Sequence, residues 1–291
     1  MQDIQWYPGH MTKTKRMLLT QMGLIDVVIE LLDARVPLSS KNPDIDTLAK
    51  DKKRVLLLNK SDLADDVMTA RWEAHFRQQG FFTLPINAKD NDKKKSGTAK
   101  LSTLLKEIMR PKVEQQKKRG RIGAPIRAMI VGIPNVGKST FINQLSGRAS
   151  TIAADKPGVT RGRQWIKVGS DFDLLDTPGV LWPKFDDQQV GIRLACTGAI
   201  SDGVLDKITL AAHLLNLLTN IDPAIIEKRY KVTAAHNVEG EAALTLLTEI
   251  GSARGFKMKG GIIDLERAAI ILLDEFRGGK LGRISLEWPN K

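Results

Sequence analysis

Cysteine is almost absent from this 291-residue chain, with Cys196 alone. No intramolecular disulfide can form, and no cluster of thiolates can hold zinc. Long apolar runs are missing too. None approaches the roughly 18 residues that a membrane-spanning helix needs. The N-terminal segment lacks the apolar stretch of a signal peptide and carries Lys13, Lys15 and Arg16 in a polar setting. These absences predict a reducing, cytoplasmic setting. Acidic residues are outnumbered: 45 Lys and Arg stand against 33 Asp and Glu, a formal net charge of +12. The excess is uneven, with 23 basic and 15 acidic residues over 1–120, 10 and 6 over 121–200, and 12 of each over 201–291. The densest basic stretch runs from Lys89 to Arg121 and includes Lys93-Lys94-Lys95 and Lys117-Lys118-Arg119. Such a stretch suits a nucleic-acid partner; the plainer alternative is a solvated linker.

What is present is a hydrophobic content of 42%, enough to fill a core. Val27–Leu32, Arg54–Leu58, Phe81–Ile86 and Ile126–Val131 read as buried strands, with helical segments near 43–50, 67–79 and 101–116 between them. Strand alternating with helix predicts a mainly parallel sheet covered on both faces. Gln164–Val168 and Phe172–Leu175 read as two adjacent strands. Beyond about residue 187 the apolar spacing is helical, at 208–218, 241–250 and 265–276. The chain therefore divides into an N-terminal arm and helix (1–25), an α/β domain (26–186, with a basic linker near 89–125) and a smaller helical domain (187–291). No internal repeat is apparent.

Two motifs define the chemistry. Gly132-Ile133-Pro134-Asn135-Val136-Gly137-Lys138-Ser139 follows a strand and opens a helix, as a phosphate-binding loop of the form G-x-x-x-x-G-K-[ST] should. Its backbone N–H groups, those of Val136 and Gly137 among them, and the helix N-terminus that continues into Thr140 offer positive potential to a phosphate. Lys138 reaches for the β- and γ-phosphates, and the Ser139 hydroxyl for Mg²⁺. Asn59-Lys60-Ser61-Asp62 ends another strand. Asp62 can accept two hydrogen bonds from guanine, and adenine offers no such donor pair. Asn59 is expected to brace the loop and touch the base edge. The Lys60 stem is expected to cover the base with its ammonium in water. Asn87-Ala88-Lys89, at the next strand's end, is positioned to offer a backbone contact to the guanine carbonyl. Asp176-Thr177-Pro178-Gly179 has the form of the second Mg²⁺ motif, with Asp176 acting through water and the Gly179 N–H sensing the γ-phosphate. Thr160 is the candidate switch threonine that completes the Mg²⁺ shell. The substrate these residues imply is GTP, the product GDP. The base reader precedes the phosphate loop, the reverse of the usual order.

A further absence concerns catalysis. Ras-like GTPases carry Gln directly after Asp-x-x-Gly; here the position is Val180, which can neither donate nor accept. Asn135 resembles the loop Asn of GTPases activated by K⁺, where a cation can do the work of an arginine finger. A loop-bracing role is the alternative. His10, after the Pro8-Gly9 turn, is a candidate to polarise water, or else holds the arm to the domain. His75, His213 and His236 are expected in helices with structural or exposed roles. Arg35, Arg161 and Arg163 are expected to meet phosphate or solvent.

The order of base reader, Asn87-Ala88, phosphate loop, Thr160 and Asp176–Gly179 is that of the circularly permuted GTPases. With Trp6-Tyr7-Pro8-Gly9-His10-Met11, Asp33-Ala34-Arg35 and Asp176-Thr177-Pro178-Gly179-Val180-Leu181-Trp182-Pro183, nearly the whole chain resembles the bacterial ribosome biogenesis GTPase A family. That resemblance implies a circularly permuted P-loop GTPase domain followed by a helical C-terminal domain that binds ribosomal RNA. It implies cytosolic GTP hydrolysis in late assembly of the large ribosomal subunit, stimulated by that particle, with His10 in hydrolysis. Expected partners are the large-subunit precursor and its rRNA, without membrane or DNA, and the chain is expected to be monomeric off the ribosome. The helical domain has no net charge, so RNA contact there would use local patches such as Arg254-Lys257-Lys259 or Arg277-Lys280-Arg283. Two alternatives stand beside this reading: a GTP-dependent RNA-binding switch with little turnover, and a GTPase acting on tRNA or another RNA.

Overall fold

The apolar runs rich in Val, Ile and Leu pair into a single sheet with the order β3-β2-β1-β4-β6-β5. The computed structural model describes residues 10–92, 97–121, 123–146, 164–168, 170–182, 185, 187–200 and 206–289. Its strands are β1 (Val27–Asp33), β2 (Lys53–Asn59), β3 (Phe82–Pro85), β4 (Ile126–Gly132), β5 (Gln164–Val168) and β6 (Phe172–Asp176). All neighbouring pairs are parallel except β5 and β6, which are antiparallel. β1 lies at the centre and is buried at every position. Chain direction splits there: β2 and β3 extend the sheet to one side, β4, β6 and β5 to the other.

Helices α1 (His10–Met22), α2 (Pro37–Ser40), α3 (Pro43–Leu48), α4 (Asp66–Gln78), α5 (Thr98–Lys118) and α6 (Lys138–Ser146) accompany this sheet. Leu18 and Met22 of α1, with Ile45 and Ala49 at α3, pack on Val28, Met129, Val131 and Leu175. Trp72 and Phe76 of α4 pack on Leu32, Leu56 and Leu58. In the sheet register Glu30 pairs with Leu56 and Val131, so an acid points into the same apolar layer. It is fully buried there and is bound by Arg54. Burial pushes its carboxyl above the ordinary value, against the pull of Arg54 and Lys41.

Within the basic stretch, the helix expected over 101–116 forms and runs somewhat longer, from Thr98 to Lys118. α5 continues through Lys117 and Lys118 to a cap at Arg119. Leu101, Leu105, Ile108 and Met109 form its buried stripe, so the lysines and arginines occupy the other side. Residues 93–96 lie outside the described residues.

By contact the chain forms two units, with the helical one spanning Phe185–Leu286. It contains α7 (Gln188–Cys196), α8 (Lys207–Ile221), α9 (Ala224–Tyr230), α10 (Gly240–Ala253) and α11 (Leu265–Arg277). Asp187, Asp206 and Asp264 cap α7, α8 and α11 with their side chains. His236 sits in an exposed turn rather than in a helix, where Asn237 takes φ of 55°.

The spacing predicts a helical unit running to the C-terminus, but from Glu287 the chain belongs to the nucleotide-binding unit. The Glu287 carboxylate accepts from the backbone N–H groups of Leu38 (2.8 Å) and Ser39 (3.1 Å) and from the Ser39 hydroxyl. Its carbonyl accepts from Trp72 Nε1 at 3.2 Å. Removing residues 287–291 strips the first turn of α2 of its acceptor and bares Trp72. We expect a loss of about 1–3 kcal/mol, read as a lower denaturation midpoint, with Glu287→Gln losing less than the truncation. A truncated chain as stable as the full one would contradict this role.

Candidate active site

Because β1, β2, β3, β4 and β6 run parallel, their C-terminal ends share one edge, where ligands bind in open α/β sheets. That edge gathers loops far apart in sequence: Asp33–Arg35, Asn59–Asp62, Asn87–Lys89, Gly132–Ser139 and Asp176–Val180. Asn59 ties three of them. It is 2% exposed; its Nδ2 donates to Val136 O at 2.7 Å, and its Oδ1 accepts from Ala88 N–H at 3.0 Å. The expected bracing role is thus spent on both the phosphate loop and the loop after β3. In the segment Asn87-Ala88-Lys89, expected to offer a backbone contact to the guanine carbonyl, the Ala88 N–H is bonded to Asn59 and the Lys89 N–H to Asn87 Oδ1 at 2.9 Å. Ser61 N–H and hydroxyl both bond Ile86 O. Asp62 is exposed beyond Lys60.

Lys60 differs from expectation. Its ammonium is not in water but 3.0 Å from Asp33 Oδ2. Lys60 itself takes φ of 59°. Asp33 also binds Arg35 through Nε at 2.9 Å and Nη2 at 2.7 Å, and both are 1% exposed. Arg35 is therefore engaged by Asp33 and shielded from solvent. Burial alone would raise the Asp33 carboxyl, but Arg35 and Lys60 outweigh it and hold it well below the usual range.

The phosphate loop wraps around Lys138. Its Nζ donates to Gly132 O at 3.0 Å and Ile133 O at 2.8 Å. Burial lowers its pKa to about 8, with Asp176 pulling it back up. Asp176 is 1% exposed, and neither carboxylate oxygen has a hydrogen-bond partner. Burial raises its carboxyl, and Lys138 opposes the rise. An unsatisfied buried carboxylate beside the first turn of α6, which begins Lys138-Ser139-Thr140, fits a hydrated divalent cation. Among the described residues no group of three His, Cys, Asp or Glu converges as a metal site, so most remaining ligands would come from water and phosphate. Asn135 is exposed with φ of 56°. Gly179 meets the loop so closely that an added Cβ would lie 2.8 Å from Pro134 Cα.

His10 is the first residue of α1, and its side chain is outside what is described. Thr160 and the surrounding 147–163, including Arg161 and Arg163, lie outside the described residues, as do residues 1–9 and 183. Two side chains escaped sequence reasoning: Asn42, whose Nδ2 holds Val180 O at 3.0 Å, and Glu30, which accepts the Asn42 N–H at 3.1 Å. An acid inside the apolar run Val27–Leu32 was the available signal.

Away from this edge, α5 and the turn after it line a cavity of about 400 Å³ with Lys106, Arg110, Lys117 and Arg121, beside Glu114 and Asp171. In the helical unit, the expected basic patches are partly used internally. Arg277 donates to the carbonyls of Cys196 and Ala195 (3.1 and 2.9 Å). Arg254 stacks on Tyr230 and lies 3.6 Å from Glu275. Lys257, Lys259 and Lys280 stay exposed.

A phosphate loop, a guanine-reader motif and an Asp-x-x-Gly loop meeting at one sheet edge, with the reader first in sequence, make this chain a circularly permuted P-loop GTPase, an enzyme that hydrolyses GTP. Residues 127–241 match the family described as 50S ribosome-binding GTPase. The chain is 46% identical to ribosome biogenesis GTPase A of Bacillus cereus, over 99% of this chain and 95% of that one. The Thermotoga maritima protein of the same name is 29% identical, over 98% and 95%. The crystal structure of GNP-bound YlqF from T. maritima aligns with a TM-score of 0.64 at 25% identity, covering 96% of this chain and 99% of that one. The chain belongs to the ribosome biogenesis GTPase A family.

Gly137 is the most demanding position at the edge. Its φ is 100°, and an added Cβ would stand 2.4 Å from Asn59 Nδ2. Gly137→Ala should cost about 1–3 kcal/mol in backbone strain alone and displace the Asn59 amide. Guanine-nucleotide affinity and thermal midpoint should fall together; an unchanged affinity would mean that Asn59 does not shape the phosphate loop.

Proposed function

We propose that this enzyme hydrolyses GTP during late assembly of the bacterial large ribosomal subunit, binding its rRNA, and that the particle and K⁺ accelerate turnover. The buried, unpartnered Asp176 carboxylate beside Lys138 carries the catalytic part of this reading. The names of the relatives carry the ribosomal part. Cytoplasmic location, a monomer off the ribosome, and no membrane or DNA partner belong to the same proposal. No helix among the described residues is long and apolar enough to cross a membrane.

In this reading Asp62 takes the guanine edge, and Asn59, Lys60, Asn87 and Ala88 hold that loop in place. Backbone N–H groups from Asn135 to Thr140 surround the phosphates. Lys138 exchanges its bonds to the Gly132 and Ile133 carbonyls for phosphate oxygens, which restores an anion beside a desolvated ammonium. Ser139, Thr160 and, through water, Asp176 would hold Mg²⁺, which neutralises charge on the β- and γ-phosphates when bound. Asn135 offers an amide oxygen for K⁺. Val180 cannot orient water, which leaves that task to His10. The exposed cations of α5 supply a surface for rRNA phosphate, joined by Lys257, Lys259 and Lys280.

Two measurements test this. GTP turnover should rise in K⁺ over Na⁺, and rise again with large-subunit precursor. If neither accelerates it, a GTP-dependent RNA switch becomes the better reading, and selective GTP-dependent binding to tRNA would replace the ribosomal partner. The lowered Lys138 pKa, about 8, sets a second expectation. A phosphate beside Lys138 favours its charged form, so nucleotide binding takes up a proton above pH 8, and affinity should decline as pH rises from 7 to 9. Calorimetry in buffers of different ionisation heat at pH 8.5 reads this uptake; identical heats in all buffers would refute it.

A further inference from the structure

Val180, the residue after the proposed γ-phosphate sensor, is held at both of its backbone polar groups. Its N–H donates to Gly132 O in the phosphate loop at 3.2 Å. Its carbonyl accepts from Asn42 Nδ2 at 3.0 Å. Asn42 lies 138 positions away in the chain, between α2 and α3, and is 1% exposed. Its other polar atoms are engaged as well. The Oδ1 accepts from Asp44 N–H at 2.9 Å, which caps α3, and the backbone N–H donates to Glu30 Oε1 at 3.1 Å. Because Oδ1 must face the Asp44 N–H, the amide can turn only its NH₂ toward Val180. Glu30 is anchored in the central strand by Arg54, which also grips Asp46, itself paired with Lys41. The Asn42 amide is thus fixed to the buried centre of the sheet and reaches out to one loop carbonyl.

We propose that Asn42 is a positioning residue for GTP hydrolysis. By holding the Val180 carbonyl it sets the Gly179 N–H against the phosphate loop. This rests on reading Asp176–Gly179 as the γ-phosphate sensor. The loop has little freedom on its inner side, since there is no room between Gly179 and Pro134 even for a Cβ, which would lie 2.8 Å from Pro134 Cα. The Asn42 bond supplies the matching restraint on the outer side. With an apolar side chain at Val180, the loop can address the γ-phosphate only through its backbone, so backbone register matters more here than where a glutamine follows the glycine.

Asn42→Ser separates the two roles of the amide. A serine hydroxyl can still cap α3, but it is too short to reach Val180 O. For the full chain in K⁺ buffer we expect kcat to fall about tenfold with KM and GDP affinity close to those of the parent, the pattern of an interaction made in the transition state. The thermal midpoint should fall modestly, because the buried Val180 carbonyl loses its partner. Asn42→Asp, which keeps the cap but sets a carboxylate oxygen against the carbonyl, should fall at least as far. Unchanged kcat in Asn42→Ser overturns the proposal. So does a loss of kcat, GDP affinity and thermal midpoint in step, which would make Asn42 a structural cap alone. Asp176→Ala separates this failure from that of the sensor reading. If it too leaves turnover unchanged, the loop does not sense GTP; if it abolishes turnover while Asn42→Ser does not, only the Asn42 assignment is lost.

Discussion

One buried amide holds the site together. Asn59 donates to the phosphate loop at Val136 and accepts from Ala88, so the ends of β2, β3 and β4 meet at a single side chain. Both bonds are short and shielded from water, where leaving either group unpaired costs more than the bond itself contributes. Neither bond depends on the order in which the chain visits the three loops. A circular permutation therefore leaves the clamp intact as long as the strands keep their neighbours. The same amide explains why Gly137 carries no side chain: the space a Cβ would need is already filled by Asn59.

Around this clamp the buried charges are of two kinds. Asp33 is fully compensated by Arg35 and Lys60, and Glu30 is paired with Arg54. Buried pairs of this kind add little net stability over apolar packing, yet breaking one is expensive. They act as fixed geometry, one behind the base-reading loop and one behind α3. Lys138 and Asp176 are the opposite case. The first leans on carbonyls and has a depressed pKa; the second is buried without a hydrogen-bond partner. Stability is withheld at the two groups that a charged ligand would complete.

The sheet is legible because its strands are apolar runs that end in motif residues, and each motif names its own position at the strand's C-terminal end. Two adjacent strands at β5 and β6 and the three longest helices of the helical unit are legible from spacing; that β5 and β6 run antiparallel is seen only in the fold. Short helices such as α7 and α9 do not, since one or two turns leave too few periods to read. The bracing role of Asn59 is legible because the guanine-reader motif carries it. The destinations of Lys60, Arg35 and Arg277 are not, because a cation's partner depends on which distant strand end or helix end lies beside it. Asn42 and Glu287 are harder still. Each is an ordinary surface-type residue in sequence, and only the folded chain shows them buried against backbone groups 138 and 249 positions away. The helix over 101–116 is legible because its apolar residues recur at helical spacing, and Leu101, Leu105 and Ile108 form its buried stripe; its extension through Lys117 and Lys118 is not, because lysine clusters resemble solvated coil.

The return of the chain at Glu287 makes the helical unit an insertion and not an appendage. The polypeptide leaves the nucleotide-binding unit after residue 184 and re-enters it at 287, so the helical segment is a ring closed through its host. A single proteolytic nick within it would leave the N-terminal fragment covalently joined to the sheet and the C-terminal fragment held to it noncovalently, by the hydrogen bonds of Glu287 to Leu38, Ser39 and Trp72. A force applied to it would divide between two anchors: the loop that follows β6 at one end, and the α2 turn with Trp72 at the other. The α2 turn itself bonds Asp33 through Ser40, and Asp33 holds Lys60. Load on the helical unit thus has two routes into the nucleotide edge, one beside the phosphates and one beside the base.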